Sequence, residues 1–302
     1  MNDELKQYVP ELGRIRFYDK LKQAIKARSP EWLVAAVRKA VAPVATVNSR
    51  EAVKAKISRY LPPNRRAEFL KLYVEARDRW DRRLIEPVAA PIEYPIKDTA
   101  YTVMLRPGTC DVITYYDVII HGLYGKAAPR TASTIIDCGA NIGLASAYFL
   151  ARYPSARVIA LEPDPINYSL CRANLRQFGD RAQVLQKALS SRSCRMRSSG
   201  NYQGTWASKF QPAPESNGDG IEGVDMGTVL DEYHIATVDI LKMDIEGSEV
   251  DVLSSGNLSW LERIRSFQIE TQVPQGKSLF LSRLSEFGFA FASYGEIMIA
   301  YK

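Results

Sequence analysis

Thr134-Ile135-Ile136-Asp137-Cys138-Gly139-Ala140-Asn141-Ile142-Gly143 is the stretch that decides the fold. Its first five residues make a short, nearly unbroken apolar run, the texture of a strand buried on both faces of a parallel sheet. Two glycines follow, and a helical pattern runs from about Ile142 to Ala151. Downstream the alternation repeats. Strands are expected at 157–162, 183–188, 238–244 and 265–270, helices at 165–177, 224–234, 248–254 and 277–287, and a closing hairpin at 289–302. Such alternation predicts an α/β fold, a doubly wound, mostly parallel sheet with helices on both faces. Ser190–Gly220, rich in Ser, Gly, Pro and Asn, breaks the rhythm.

Upstream the texture differs. Tyr101–Leu105 and Val112–Ile120 read as short strands around Arg106-Pro107-Gly108. The first third reads as helical. Asn48 with Glu51 forms a capping-box pattern for a helix to about Tyr60, and Pro62-Pro63 ends it. Asn64 is then placed to cap a helix running to about Ile85. Its apolar residues Phe69, Leu72, Tyr73, Ala76, Trp80 and Leu84 recur at threes and fours. Its other face mixes Arg65, Arg66, Lys71, Arg77, Arg79, Arg82 and Arg83 with Glu68, Glu75, Asp78 and Asp81. That mixture reads as a solvated face laced with local pairs; the competing reading is a surface for anionic lipid headgroups or polyanions. Pro87, Pro91 and Pro95 punctuate a linker. Two regions result: a basic, mainly helical region at 1–98 and an α/β domain at 99–302.

The 302 residues carry 40 Lys+Arg and 34 Asp+Glu, a formal net charge of +6. Residues 1–100 hold 21 basic and 13 acidic residues, a net of +8, and the rest is slightly acidic. The basic character therefore belongs to the first third, and does not argue that the α/β domain prefers nucleic acid. No apolar run is long enough to span a bilayer. The start lacks the pattern of a secretory leader. The four cysteines, Cys110, Cys138, Cys171 and Cys194, form no CxxC pair, which argues against a zinc ribbon and fits a reducing compartment. The expected location is the cytoplasm, with peripheral membrane contact through the basic helices and an oligomer both left open.

Between strand and helix, Gly139 to Gly143 has the spacing GxxxG, which breaks the dinucleotide fingerprint GxGxxG. The turn lies at the carboxyl edge of the sheet, where ligands bind, and the helix N-terminus offers N–H groups to an anion. Asp137 is awkward beside a pyrophosphate and suited to an ammonium group. The next strand ends in Glu162-Pro163, where a carboxylate can accept hydrogen bonds from vicinal ribose hydroxyls. A nucleoside with a zwitterionic amino-acid tail and no phosphates is S-adenosylmethionine.

These residues also carry a family resemblance. Asp137–Gly143, Leu161-Glu162-Pro163-Asp164-Pro165, Asn167, Lys187-Ala188-Leu189-Ser190 and Leu241-Lys242-Met243-Asp244-Ile245-Glu246-Gly247-Ser248-Glu249 resemble the FkbM family of S-adenosylmethionine-dependent methyltransferases. The lead-in Leu105-Arg106-Pro107-Gly108-Thr109, with Asp111 and Tyr124, is similar too. The resemblance covers about residues 100–302. It implies a Rossmann-like class I methyltransferase with seven strands, the last antiparallel, and methyl transfer to an oxygen of a sugar, glycolipid or natural product. It implies that Asp137, Gly139, Ala140, Asn141 and Gly143 line the methionine end, that Glu162 holds the ribose with Pro163, Asp164 and Asn167 nearby, and that Ala188 meets the adenine. Many members carry a His where this chain has Gln272.

A hydroxyl acceptor must lose its proton during transfer. Asp244 and Glu270 end adjacent strands, and Glu246 follows closely, so three carboxylates can converge over the reacting methyl. One would be the base, or two would hold a divalent cation; a capping role for Glu246 competes. Lys242 is expected to pair with Asp244 or Glu270. His121 in the lead-in is a further candidate base. His234, near a helix end, reads as a complement to the helix dipole. Tyr202 and Trp206 are candidate sugar platforms. Two other readings compete with the small-molecule or glycan O-methyltransferase. One is an RNA methyltransferase using the basic region, disfavoured by the acids of Asp244-Ile245-Glu246-Gly247. The other is a non-catalytic cofactor-binding scaffold.

Overall fold

The computed structural model describes residues 50–82, 89–125, 128–199, 210–213, 220–255, 257–270, 274–294 and 297–302. Strand β3 (Thr134–Cys138) sits at the centre of a seven-stranded sheet. Its side chains alternate between two hydrophobic cores. Ile135 packs into the one on one face and Ile136 into the one on the other. That is why the run reads as continuously apolar. β4 (Arg157–Leu161) and β5 (Ala182–Leu185) extend the sheet to one side, and β10 (Ile240–Met243) and β11 (Ser266–Glu270) to the other, all parallel. The hairpin β12 (Ala290–Tyr294) and β13 (Ile297–Tyr301) closes it, with β13 antiparallel to β11. The order β12-β13-β11-β10-β3-β4-β5 is the Rossmann-like class I arrangement the sequence predicts. Strand order reverses between β3 and β10, which places the ligand crevice at their carboxyl ends.

Helices α4 (Leu144–Arg152) and α5 (Pro165–Leu175) follow β3 and β4. After β9 (Ile221–Val224), α6 (Met226–Glu232), α7 (Glu249–Ser254) and α8 (Pro274–Glu286) complete the winding. His234 follows α6 in the left-handed region, at φ 52°. Described residues of the stretch that breaks the rhythm belong to a four-stranded sheet. It joins β6 (Lys187–Leu189) and β9 to β7 (Cys194–Ser198) and β8 (Phe210–Pro212).

Before the sheet lie α1 (Arg50–Tyr60) and α2 (Pro63–Asp81), the hairpin β1 (Ile92–Pro95) and β2 (Thr102–Leu105), and α3 (Asp111–Tyr115). Asn64 is not the cap of α2. Pro62 takes the N-cap and Pro63 the first helical position, where a missing N–H removes no hydrogen bond and φ is preset. The expected strand at 112–120 is also absent. Asp111–Tyr115 is α-helical and continues through Tyr116–Ile120 as a π turn. The β-branched residues suggest a strand, but Val112, Tyr115, Tyr116 and Ile119 are buried at helical spacing, and tertiary burial overrides the local preference.

α1 and α2 share their core with the sheet. The Phe69 ring lies 5.1 Å from Tyr94 and 5.3 Å from Tyr115, and Tyr73 lies 4.9 Å from Tyr116. Each such ring pair contributes about 0.5–1.5 kcal/mol beyond its buried area. The polar face of α2 carries local pairs, Arg65 with Glu68, Lys71 with Glu75, Arg77 with Asp81 and Arg82 with Asp78. No helix of the described residues is long and apolar enough to cross a membrane. Asn48, Pro87, Tyr202, Trp206 and Gln272 lie outside the described residues.

Candidate active site

A cavity of about 1180 Å³ opens at the carboxyl ends of β3 and β10. Gly139, Ala140 and Asn141 line it from the turn after β3, and Glu162 and Pro163 from the end of β4. Asn167 on α5, Ala188 on β6, and Lys242, Asp244, Glu246 and Glu270 complete that side.

Three amides of the glycine turn are taken up internally. Gly139 and Ala140 N–H donate to the Leu161 carbonyl at 3.0 and 2.9 Å, and Asn141 N–H donates to Glu162 Oε2 at 2.7 Å. They close the gap between parallel neighbours β3 and β4. Gly139, at φ 73°, is required because a Cβ there would overlap the Asp244 carbonyl oxygen. Gly143, at φ 83°, packs against Cys171 and Leu175 on α5 and does not line the cavity. Asn141 takes the left-handed region at φ 51°, and its buried Oδ1 has no hydrogen-bond partner. Backbone strain of this kind is found where a ligand or partner compensates it.

Glu162 is buried and accepts two backbone hydrogen bonds, from Asn141 and from Asp164 N–H at 2.9 Å. Burial pushes its carboxyl up to about 7, against the pull of those two N–H groups. Asp164 caps α5 by accepting from Ile166 and Asn167 N–H and does not line the cavity. Asn167 Oδ1 accepts from Arg106, whose guanidinium also grips Asp111 at 2.7 and 2.9 Å. This ties the lead-in segment onto α5.

Asp137 stands behind the cavity wall, fully buried. Its Oδ2 accepts from Ser146 Oγ at 2.7 Å and its Oδ1 lies 2.9 Å from Lys242 Nζ. The lysine expected to pair with Asp244 or Glu270 thus pairs first with Asp137; Asp244 follows at 4.0 Å. Lys242 Nζ also donates to the Gly139 carbonyl at 2.8 Å and lies 5.6 Å from the centre of the Tyr124 ring. Burial works against its charge, but Asp137 and Asp244 outweigh that and hold the ammonium above the usual lysine range.

Asp244 keeps 24% of its side chain open, and the opening faces the cavity. Burial raises its carboxyl, Lys242 draws it back, and Asp137 adds to the rise. It hydrogen-bonds to Glu270 and to the Tyr124 hydroxyl. Tyr124 is itself buried, which pushes its phenol well above the usual range, with Asp244 and Glu270 adding to the shift. Sequence reasoning treated Tyr124 only as part of a lead-in; its place beside Asp244 depends on a tertiary contact across about 120 positions. Glu246 faces the cavity from the left-handed region at φ 58°. In the same turn Glu249 accepts from Ile245 N–H at 2.7 Å. His121 ends the π turn, donates its N–H to the Tyr116 carbonyl and lines the same cavity. Among the described residues no three His, Cys, Asp or Glu side chains form a group able to hold a metal.

Residues 137–292 match the family described as the methyltransferase FkbM domain. The chain belongs to the FkbM methyltransferase family. This FkbM methyltransferase is 27% identical over 194 residues to the methyltransferase sdnD of Sordaria araneosa, covering 54% of this chain and 75% of that protein. It is 27% identical over 153 residues to the 2-O-methyltransferase NoeI of Sinorhizobium fredii, covering 40% of this chain and 56% of that one. The solved structure of precorrin-6y C5,15-methyltransferase from Geobacter metallireducens is 14% identical, with a TM-score of 0.34, covering 57% of this chain and 81% of that one.

Proposed function

We propose that this FkbM methyltransferase moves the methyl group of S-adenosylmethionine to a hydroxyl oxygen of a small-molecule, glycan or glycolipid acceptor. The observation that carries the reading is Asp244, open to the cavity and hydrogen-bonded to Glu270 and Tyr124. The cofactor fits the residues present. The buried acceptor Asn141 Oδ1 suits an ammonium group, and Glu162 keeps a second lone pair on each oxygen for ribose hydroxyls. Ala188 and Leu189 would border the adenine. When bound, the sulfonium supplies an already activated methyl group.

Asp244 accepts the proton of the attacking hydroxyl. Its hydrogen bond to Glu270 lowers the Asp244 carboxyl and so favours the ionised form that accepts the proton. Tyr124 donates to Asp244 and fixes the direction of its free lone pair. Lys242 keeps Asp137 neutralised and limits the negative charge around the base. Such a positioned base contributes about 10²–10⁴ in rate. Relatives support transfer to oxygen, NoeI being a 2-O-methyltransferase by its name. The test is Asp244→Asn. Turnover should fall by at least about 10² while S-adenosylhomocysteine affinity, measured by calorimetry, changes little. Retained turnover removes Asp244 as the base, and no binding by the wild type removes the reading.

A further inference from the structure

The family match begins at Asp137, yet much of the cavity wall comes from residues before it. On α2 the lining residues are Leu70, Tyr73, Val74, Arg77, Asp78, Trp80 and Asp81. Steps of three and four make these one continuous stripe along the helix. At 1.5 Å per residue the stripe is about 16 Å long. On α3 and the π turn the lining side chains are Cys110, Ile113, Thr114, Asp117, Val118 and His121, with the same spacing. Two helical faces therefore border one space, and the tilted ring contact of Tyr73 with Tyr116 holds them together. The volume of about 1180 Å³ exceeds the roughly 300–1,000 Å³ usual for one bound small molecule. There is room for a second ligand beside the methyl donor.

The character of the stripe indicates what that ligand is. One end is apolar, with Leu70, Tyr73 and Val74, and Val74 is a large aliphatic side chain left 42% exposed. The other end carries charges beside Trp80, and those charges pair along the helix. Arg77 lies 3.6 Å from Asp81, and Asp78 pairs with Arg82 at 3.4 Å. No excess of positive charge faces the cavity, and Asp244, Glu246 and Glu270 repel an anion.

Building on the methyl-transfer reading above, we propose that the facing stripes of α2 and α3 form the acceptor groove, and that the acceptor is an uncharged amphiphile. Its hydroxyl reaches the catalytic acids and its apolar portion lies along Leu70, Tyr73 and Val74. Selectivity for the acceptor then resides in a segment outside the matched family region.

Calorimetric titration of the full chain, with and without S-adenosylhomocysteine, tests this with n-octyl β-D-glucoside, D-glucose and n-octyl phosphate, each below micelle formation. Octyl glucoside is expected to bind at least tenfold more tightly than either of the others. Val74→Glu, or Thr114→Trp from the facing stripe, is expected to weaken that binding at least tenfold with S-adenosylhomocysteine affinity within twofold. The proposal is overturned if octyl glucoside does not bind, if glucose or octyl phosphate binds as well, or if folded variants bind it unchanged. Failure of the wild type to bind S-adenosylhomocysteine would instead remove the methyl-transfer reading, whatever the groove does.

Discussion

Lys242 Nζ lies 2.9 Å from Asp137 Oδ1, on residues in register on adjacent strands, with both side chains closed to solvent. A buried pair of this kind is destabilising to break and tolerant of joint replacement. Lys242→Met leaves a buried carboxylate without its partner and should lower stability by about 3–5 kcal/mol. The double variant Asp137→Leu/Lys242→Met should recover most of that loss. Urea denaturation of the single and double variants measures both, and additive losses would refute the coupling.

Glu162 sets a pH dependence. Burial holds its carboxyl at about 7 in the folded chain, above the ordinary 4.5. The folded state therefore binds this proton more tightly than the unfolded state. Its contribution to stability is fully present below pH 4.5 and is lost as the pH rises through 7. Cofactor binding runs the other way, because the ionised carboxylate is the better acceptor for ribose hydroxyls. S-adenosylhomocysteine affinity should climb between pH 6 and pH 8, and the climb should vanish in Glu162→Gln. Calorimetry across that range reads the slope.

The hydrogen bond from Tyr124 favours the ionised form of Asp244. Tyr124→Phe removes it, so the Asp244 carboxyl rises and the acid limb of the kcat/KM profile moves to higher pH. At high pH much of the rate should return. A uniform loss at every pH would show that Tyr124 acts on folding or binding and not through the base.

Gly139→Ala introduces a Cβ into the Asp244 carbonyl oxygen at a φ of 73°. The strain should cost about 1–3 kcal/mol and displace the strand end that carries the base. Both the melting temperature and turnover should fall. An unchanged melting temperature would mean that the turn yields without strain.

Lys242 already provides the positive charge beside Asp137 and Asp244. Turnover is therefore expected to survive EDTA within about twofold. A tenfold loss restored by added Mg²⁺ would assign a cation to the Asp244 and Glu270 pair.

How much of this was legible in the sequence depends on the range over which each feature is written. β3, the glycine turn and Glu162 are local patterns, and they carry both the fold and one side of the cavity. The segment Val112–Ile120 is also local, but its β-branched residues favour a strand on paper. Only packing against Tyr73 and the sheet makes it helical. The partner of Lys242 is fixed by strand register, which no spacing in the chain reveals. A capping role for Glu246 is written locally, but that Glu249 holds the Ile245 N–H is seen only in the folded turn. The stripe on α2 was read by its apolar period, while its cavity-facing edge became visible only when α3 lay beside it.

α1 and α2 bury Val53, Ile57, Phe69 and Tyr73 in the same core that holds Ile135 and Phe149. The consequence is one of modularity. A fragment cut at the start of the matched family region would strip that layer from Phe149, whose ring lies 6.2 Å from that of Tyr124, and lose one wall of its own cavity. The helices before the hairpin therefore cannot be exchanged like an appended tag, and a chimera that swaps acceptor preference has to exchange them together with the surface they cover.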